Sequence, residues 1–294
     1  MKYAWISQHS SVYPLELMCH VLGVSRSGYL NSLKRPISAR SINDFKLLLA
    51  IKTAHQQGRG VYGAAKIQAE LADQGIKVGL NRIKRLRRLH GISCIHKRKF
   101  KATTQSNHKM PVADNILNRG FDSTTAPNQV WLTDITYVDT HEGWLYLAGV
   151  KDAHTCELVG WSMSSTMTKR LVIDALRMAY QRKKPTQGLI HHSDRGSQYC
   201  SKTYYNLLKT YNMTPSMSRK GNCWDNAPME SFFASLKTEC VYQQRLKTRE
   251  QAKTLIFDYI EVFYNNQRRH QSLNYMTPAN FSKQHYQNLQ KLVA

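Results

Sequence analysis

The spacing of apolar residues changes once along this chain, and that change limits how it can fold. In the first hundred residues they recur at helical intervals. Pro14 to Leu22 and the stretch from Ser25 form a short helix pair, with Gly23 placed to make the turn and Ser25 to cap the second helix. Ile42 to Gln56 follows, then a helix entered through Gly60-Val61-Tyr62-Gly63-Ala64-Ala65-Lys66-Ile67 and ending near Gly75, and then Asn81 to Gly91, where Ile83, Leu86 and Leu89 or His90 share a face. From about residue 102 the chain turns polar and loses its periodicity. Beyond residue 123 the period becomes two, over Val130 to Val138, Trp144 to Lys151 and Glu157 to Met163, with a hairpin turn at Asp152 to Cys156.

A helix over Thr168 to Arg182, a short buried strand at Leu189 to His192, a helix over Thr203 to Thr210 and a strand at Met213 to Met217 complete the pattern, followed by a helix that starts near Pro228. Three antiparallel strands, then helix, strand, helix, strand and helix, is the order of a ribonuclease-H-like α/β fold, a mixed sheet with flanking helices. The expected layout is an all-helical, helix-turn-helix-like region over 1–110, a linker over 111–123, a ribonuclease-H-like core with C-terminal helices over 124–284, and a tail over 285–294.

Charge separates the two halves. Residues 1–110 carry 20 Lys and Arg against 4 Asp and Glu, within a chain whose formal net charge is +23. So large a surplus points to a polyanionic partner, and nucleic acid is the one that a basic helical region fits. Arg82, Lys84, Arg85, Arg87 and Arg88 line the polar side of one helix, with Lys97, Arg98 and Lys99 just beyond it, and the lack of balancing acids favours phosphate contact over a plain solvated face. The six cysteines are too scattered for a zinc knuckle or a disulfide framework, and no apolar run approaches a membrane span. A reduced cytosolic protein is expected.

Asp134 falls inside the first strand, Asp194 just after a buried strand and before Arg195-Gly196-Ser197, and Glu230 in the first turn of the helix after Pro228, where Asn226 is placed to cap. An acid in mid-strand is costly unless a cation meets it. Carboxylates from strand ends and a helix suit Mg²⁺, which takes hard oxygen donors, and phosphodiester cleavage needs both an activated nucleophile and a stabilised phosphorus. Lys237, seven positions after Glu230, shares its helix face, while Phe232, Leu236 and Cys240 form a separate apolar stripe. Asp225 is the one neighbouring acid that competes for a place in the set. His191 and His192 stand close enough to reach the site or to pack at the strand end.

Trp131-Leu132-Thr133-Asp134-Ile135-Thr136-Tyr137, His192-Ser193-Asp194-Arg195-Gly196-Ser197-Gln198-Tyr199 and Asp225-Asn226-Ala227 with Glu230-Ser231-Phe232-Phe233 and Lys237 resemble the signatures of bacterial insertion-sequence transposases with a retroviral-integrase-like DDE core. More narrowly, the chain is similar to the second-frame product of two-reading-frame elements. The likeness extends to Tyr62-Gly63-Ala64-Ala65-Lys66-Ile67 and to the segment from Tyr264 to Ala279, which contains Asn265-Asn266-Gln267-Arg268-Arg269-His270. It implies that Asp134, Asp194 and Glu230 are catalytic and bind two Mg²⁺ ions, for which Mn²⁺ can substitute, and that Lys237 contacts transposon-end DNA. It implies further that the protein acts on double-stranded DNA at transposon ends and target, as a homo-oligomer, with a companion first-frame protein. Two other readings compete: a DNA-binding regulator without catalysis, and a ribonuclease-H-like nuclease that cuts without joining.

Overall fold

A computed structural model describes residues 1–95, 112–219 and 223–293, which divide into two compact units, Met1–Thr53 and Ala54–Ala294. In the first unit, α1 (Lys2–His9), α2 (Leu15–Val21) and α3 (Arg26–Lys34) close on a small core of Ile6, Met18, Cys19 and Tyr29. Gly23 turns the chain between α2 and α3 at φ +60°, a conformation that is strained for residues with a side chain. Ser25 caps α3, its Oγ accepting from the Gly28 N–H at 3.0 Å. The next helix, α4, runs over Ala39–Gln57.

Along the chain the two units meet within α4, between Thr53 and Ala54. Helices α5 (Ala64–Asp73) and α6 (Leu80–Leu89) fall in the same unit as the sheet. The reason is a set of bonds spanning some 200 positions: the Tyr62 hydroxyl donates to the Gln267 carbonyl at 2.7 Å, and Arg269 reaches Glu70 at 2.7 Å and Asp73 at 2.5 Å. Residues 96–111, where the linker was expected to begin, lie outside the described residues. At the other end, α11 (Pro278–Val293) continues through the segment expected as a tail.

The second unit is built on a five-stranded sheet in the order β3-β2-β1-β4-β5. β1 (Val130–Val138), β2 (Leu145–Asp152) and β3 (Leu158–Ser164) pair antiparallel, while β4 (Ile190–Ser193) and β5 (Thr214–Met217) extend the sheet from β1 in parallel. This is the expected ribonuclease-H-like arrangement. Alternation along β1 and β2 feeds two cores. Trp131, Ala148 and Val150 pack with α7 (Lys169–Lys183) and α8 (Lys202–Thr210). Leu132, Leu145 and Leu147 pack with Met229, Phe232, Phe233 and Leu236 of α9 (Ala227–Glu239) and with Ile256 of α10 (Arg249–Phe257). α10 continues as a wider π turn over Asp258–Tyr264, whose Tyr259, Ile260 and Phe263 complete that layer.

Candidate active site

β1, the loop after β4 and the start of α9 bring three carboxylates to one region. Asp134 sits in mid-strand opposite Gly149 of β2, on the face covered by α9. The approach there is close: a side chain on Gly149 would lie 3.2 Å from the Met229 methyl of α9. Asp194 follows β4, and its Oδ1 accepts from the Gly196 N–H at 2.9 Å. Glu230 lies exposed in the first turn of α9.

The electrostatics tie the three together. Burial holds the Asp134 carboxyl well above the usual carboxylate range, and the negative charge of Asp194 raises it further. The Ile135 N–H, donating to Asp134 Oδ1 at 2.8 Å, works the other way; Glu230 adds a smaller upward push and Lys237 a smaller downward one. The Glu230 carboxyl is itself raised by partial burial. Among the described residues no three His, Cys, Asp or Glu side chains already stand in ligating range of a single ion. The donor chemistry of Asp134, Asp194 and Glu230 nevertheless fits a hard divalent cation, because all three offer carboxylate oxygens.

Lys237 is buried, with Nζ 4.9 Å from the centre of the Tyr137 ring, and desolvation lowers its ammonium while Asp134 holds it up. Asp225, the competing acid, is fully engaged elsewhere. Its buried carboxylate accepts from Asn115 Nδ2 at 2.9 Å, Arg119 Nε at 3.0 Å, Arg219 Nε at 3.0 Å and Arg219 Nη2 at 2.9 Å, and the Arg219 bonds hold it well below the usual range. Asp225 therefore anchors the loop before α9. Asn226 stands at the expected cap position but makes no capping bond; its Nδ2 donates to the Thr133 carbonyl at 3.1 Å. No signal in the sequence distinguished that long-range bond from a cap, nor revealed Lys151 of β2, buried and donating to the Pro228 carbonyl at 3.1 Å.

The two histidines pack rather than reach the carboxylates. His191 Nε2 lies 2.9 Å from the Tyr204 hydroxyl, and His192 is held between Ser216 and Ser218. Burial lowers them to about 3 and about 4, as it lowers His270 to about 2. All three are neutral at pH 7 and depressed relative to the unfolded chain, which takes up protons from about pH 6.5 downward while the fold does not. The protein is therefore expected to lose stability progressively from pH 6.5 towards pH 4, by up to about 1.4 kcal/mol per pH unit for each histidine. Melting temperatures followed across that window check this; a flat profile would contradict it.

On α6, Arg82, Lys84, Arg85 and Arg88 are exposed. Arg87 is half-buried and donates to Cys94 Sγ at 3.0 Å. Ile83 and Leu86 are buried as expected, but Leu89 is 68% exposed because the helix ends there. Lys97, Arg98 and Lys99 lie outside the described residues.

Models of the integrase core domain match residues 124–223 and 230–286, and a model of an HTH-like domain matches residues 43–100. Over 286 residues the chain is 40% identical to transposase InsF for insertion sequence IS3A of Escherichia coli (strain K12), covering 96% of this chain and 98% of that one. The chain belongs to the IS3-family insertion-sequence transposases. It is a DDE-type polynucleotidyl transferase with an integrase catalytic core. The transposase is also 52% identical over 270 residues to the insertion element IS600 uncharacterized 31 kDa protein of Shigella sonnei, covering 92% of this chain and 99% of that one.

Among solved structures it is similar to the simian T-cell lymphotropic virus intasome in complex with PP2A regulatory subunit B56 gamma, at TM-score 0.47 and 15% identity over 73% of this chain and 70% of that one. It is similar also to the HTLV-2 integrase catalytic core domain in complex with magnesium in its trimeric form, at TM-score 0.43 and 14% identity over 54% and 98% of the two chains. No helix among the described residues is long and apolar enough to cross a membrane.

Proposed function

We propose that this transposase cleaves DNA at the ends of its element and joins the freed 3′-hydroxyl to target DNA, with Asp134, Asp194 and Glu230 as the catalytic carboxylates holding two Mg²⁺ ions. The observation that carries the reading is the meeting of three carboxylates from β1, the loop after β4 and the first turn of α9, where burial first and the charge of Asp194 next hold the Asp134 carboxyl well above the usual range. That arrangement destabilises the bare protein and is relieved by a divalent cation. When bound, such ions generate a nucleophile at neutral pH and stabilise charge on phosphorus, and Mn²⁺ offers the same coordination.

The chain's own residues do the rest. Asp134 is held by its pairing with Gly149 of β2 and Asp194 by its bond to Gly196, so two of the three donors are fixed by backbone. Glu230 enters from α9, whose apolar face keeps the helix on β1. Lys237, on the same helix, supplies a cation for the end DNA beside Asp134. Cleavage of end-containing DNA titrated with Mg²⁺ and then with a chelator tests the metal reading: strand cutting that survives complete chelation would sink it.

The basic region over 1–110 is the proposed DNA-binding part, with Arg82, Lys84, Arg85, Arg87, Arg88, Lys97, Arg98 and Lys99 meeting phosphates. The protein works on transposon ends and target as a homo-oligomer in the bacterial cytoplasm at the nucleoid, with a companion first-frame protein. For every phosphate that the protein no longer neutralises, the slope of log K against log salt is expected to fall by about 0.9. Replacing Arg82, Lys84, Arg85 and Arg88 together by Gln should therefore flatten the salt dependence by roughly 3 to 4 units, as binding titrations between 50 and 200 mM salt would read. An unchanged slope would remove α6 from the interface.

A further inference from the structure

Asn226 is 5% exposed and joins two parts of the carboxylate region. Its Nδ2 donates to the carbonyl of Thr133, the residue before Asp134, and it stands four positions before Glu230. The residue before it, Asp225, is locked by Asn115, Arg119 and Arg219, so the backbone that leads into α9 is fixed from one side by that buried carboxylate and from the other by β1. The Lys151 bond to the Pro228 carbonyl adds a tie to β2 two residues before Glu230. What the packing does not explain is the other end of the amide. Asn226 Oδ1 is buried with no hydrogen-bond partner among the described residues. An unmet buried acceptor is costly, and each such group in a native protein calls for an explanation.

A helix cap would account for an Asn at this position, but the capping bond is not made. A purely structural tie would account for Nδ2 and leave Oδ1 as a loss without return. We propose that Asn226 is a positioning residue of the metal site: Nδ2 sets the distance between Asp134 and Glu230, and Oδ1 is the acceptor for a water retained by the bound ion. Mg²⁺ keeps several waters when carboxylates bind it, and those waters are hydrogen-bond donors. Partners of this outer kind are typically worth about 10- to 100-fold in metal affinity. The inference rests on the assignment of Asp134, Asp194 and Glu230 as metal carboxylates.

The test uses the full chain with Mg²⁺ alone as probe, following melting temperature against Mg²⁺ concentration for wild type, Asp194→Asn, Asn226→Ala and Asn226→Ser. Wild type is expected to gain stability along a saturable curve, because an ion that binds only the folded state raises the melting temperature. Asp194→Asn should lose that response. Asn226→Ala and Asn226→Ser should keep it with the Mg²⁺ midpoint about tenfold higher or more, whatever their melting temperature without the ion. Serine leaves a smaller hole than alanine in a polar site, so its curve decides the matter if the alanine variant does not fold. A merely structural asparagine would lower the melting temperature and leave the midpoint where it was; that result in Asn226→Ser, with Asp194→Asn unresponsive, overturns the proposal alone. No Mg²⁺ response in wild type overturns the carboxylate assignment and this inference with it.

Discussion

Asp194→Asn is expected to abolish both end cleavage and joining, by at least about a thousandfold, while binding to end DNA stays within about twofold of wild type. The substitution removes one charge and leaves the shape of the loop, since an amide oxygen can still accept from the Gly196 N–H. What it takes away is an anionic donor to metal, and metal-ion stabilisation of a phosphoryl transition state is worth several kcal/mol, with each 1.36 kcal/mol a factor of ten in rate. Single-turnover cleavage beside an equilibrium binding titration separates the two effects. A variant that cleaves at a tenth of the wild-type rate would contradict the role given to Asp194, and one that fails to bind DNA would place Asp194 in recognition.

Arg268→Ala should produce the largest loss of stability from a single change outside the site. Arg268 and Glu239 are each only 11% exposed and form a two-pronged pair, Nε to Oε2 at 2.7 Å and Nη2 to Oε1 at 2.6 Å, with the Tyr259 hydroxyl donating to the same carboxylate at 2.7 Å. Removing the guanidinium strands a buried carboxylate, which costs about 3–5 kcal/mol. In a unit of this size that is a fall of roughly 10 °C in melting temperature. The double variant Arg268→Met with Glu239→Leu should recover much of the loss, because a buried ion pair replaced by apolar groups of similar volume is often close to neutral. A double variant no more stable than Arg268→Ala would show that the pair does more than neutralise itself.

Arg268 and its neighbour Arg269 act through contacts that local sequence does not encode. The run Gln267-Arg268-Arg269-His270 is visible as a motif, yet its physical work is done with partners far along the chain: Glu239 for Arg268, and Glu70, Asp73 and the Tyr62 hydroxyl for Arg269. Periodicity cannot reveal such pairings, which is why the helices after residue 54 looked separable from the core. Periodicity did serve for β1, where alternation over nine residues set the strand from Val130 to Val138, and for α9, where Pro228 marks the first turn and the apolar stripe of Phe232, Leu236 and Cys240 faces the core. The places of Asp134 in a strand, Asp194 just after one and Glu230 in the first turn of a helix follow from the same periodicity. The contacts of Asp225 and Asn226 do not. One is a buried anchor for Arg119 and Arg219 and the other reaches across to Thr133, and in the sequence an acid and an amide before a helix look like a ligand and a cap.

That these carboxylates run cutting and joining through one divalent-metal site is tested most directly by a strand-transfer assay. Purified protein is given duplexes carrying the inverted repeats of its own element with labelled 3′-ends, together with an unlabelled target duplex and Mg²⁺. The expected result is labelled ends covalently joined to target, lost on chelation and absent with Asp194→Asn. Ends that are cut but never joined under any divalent ion, or joined products that persist without one, would contradict it.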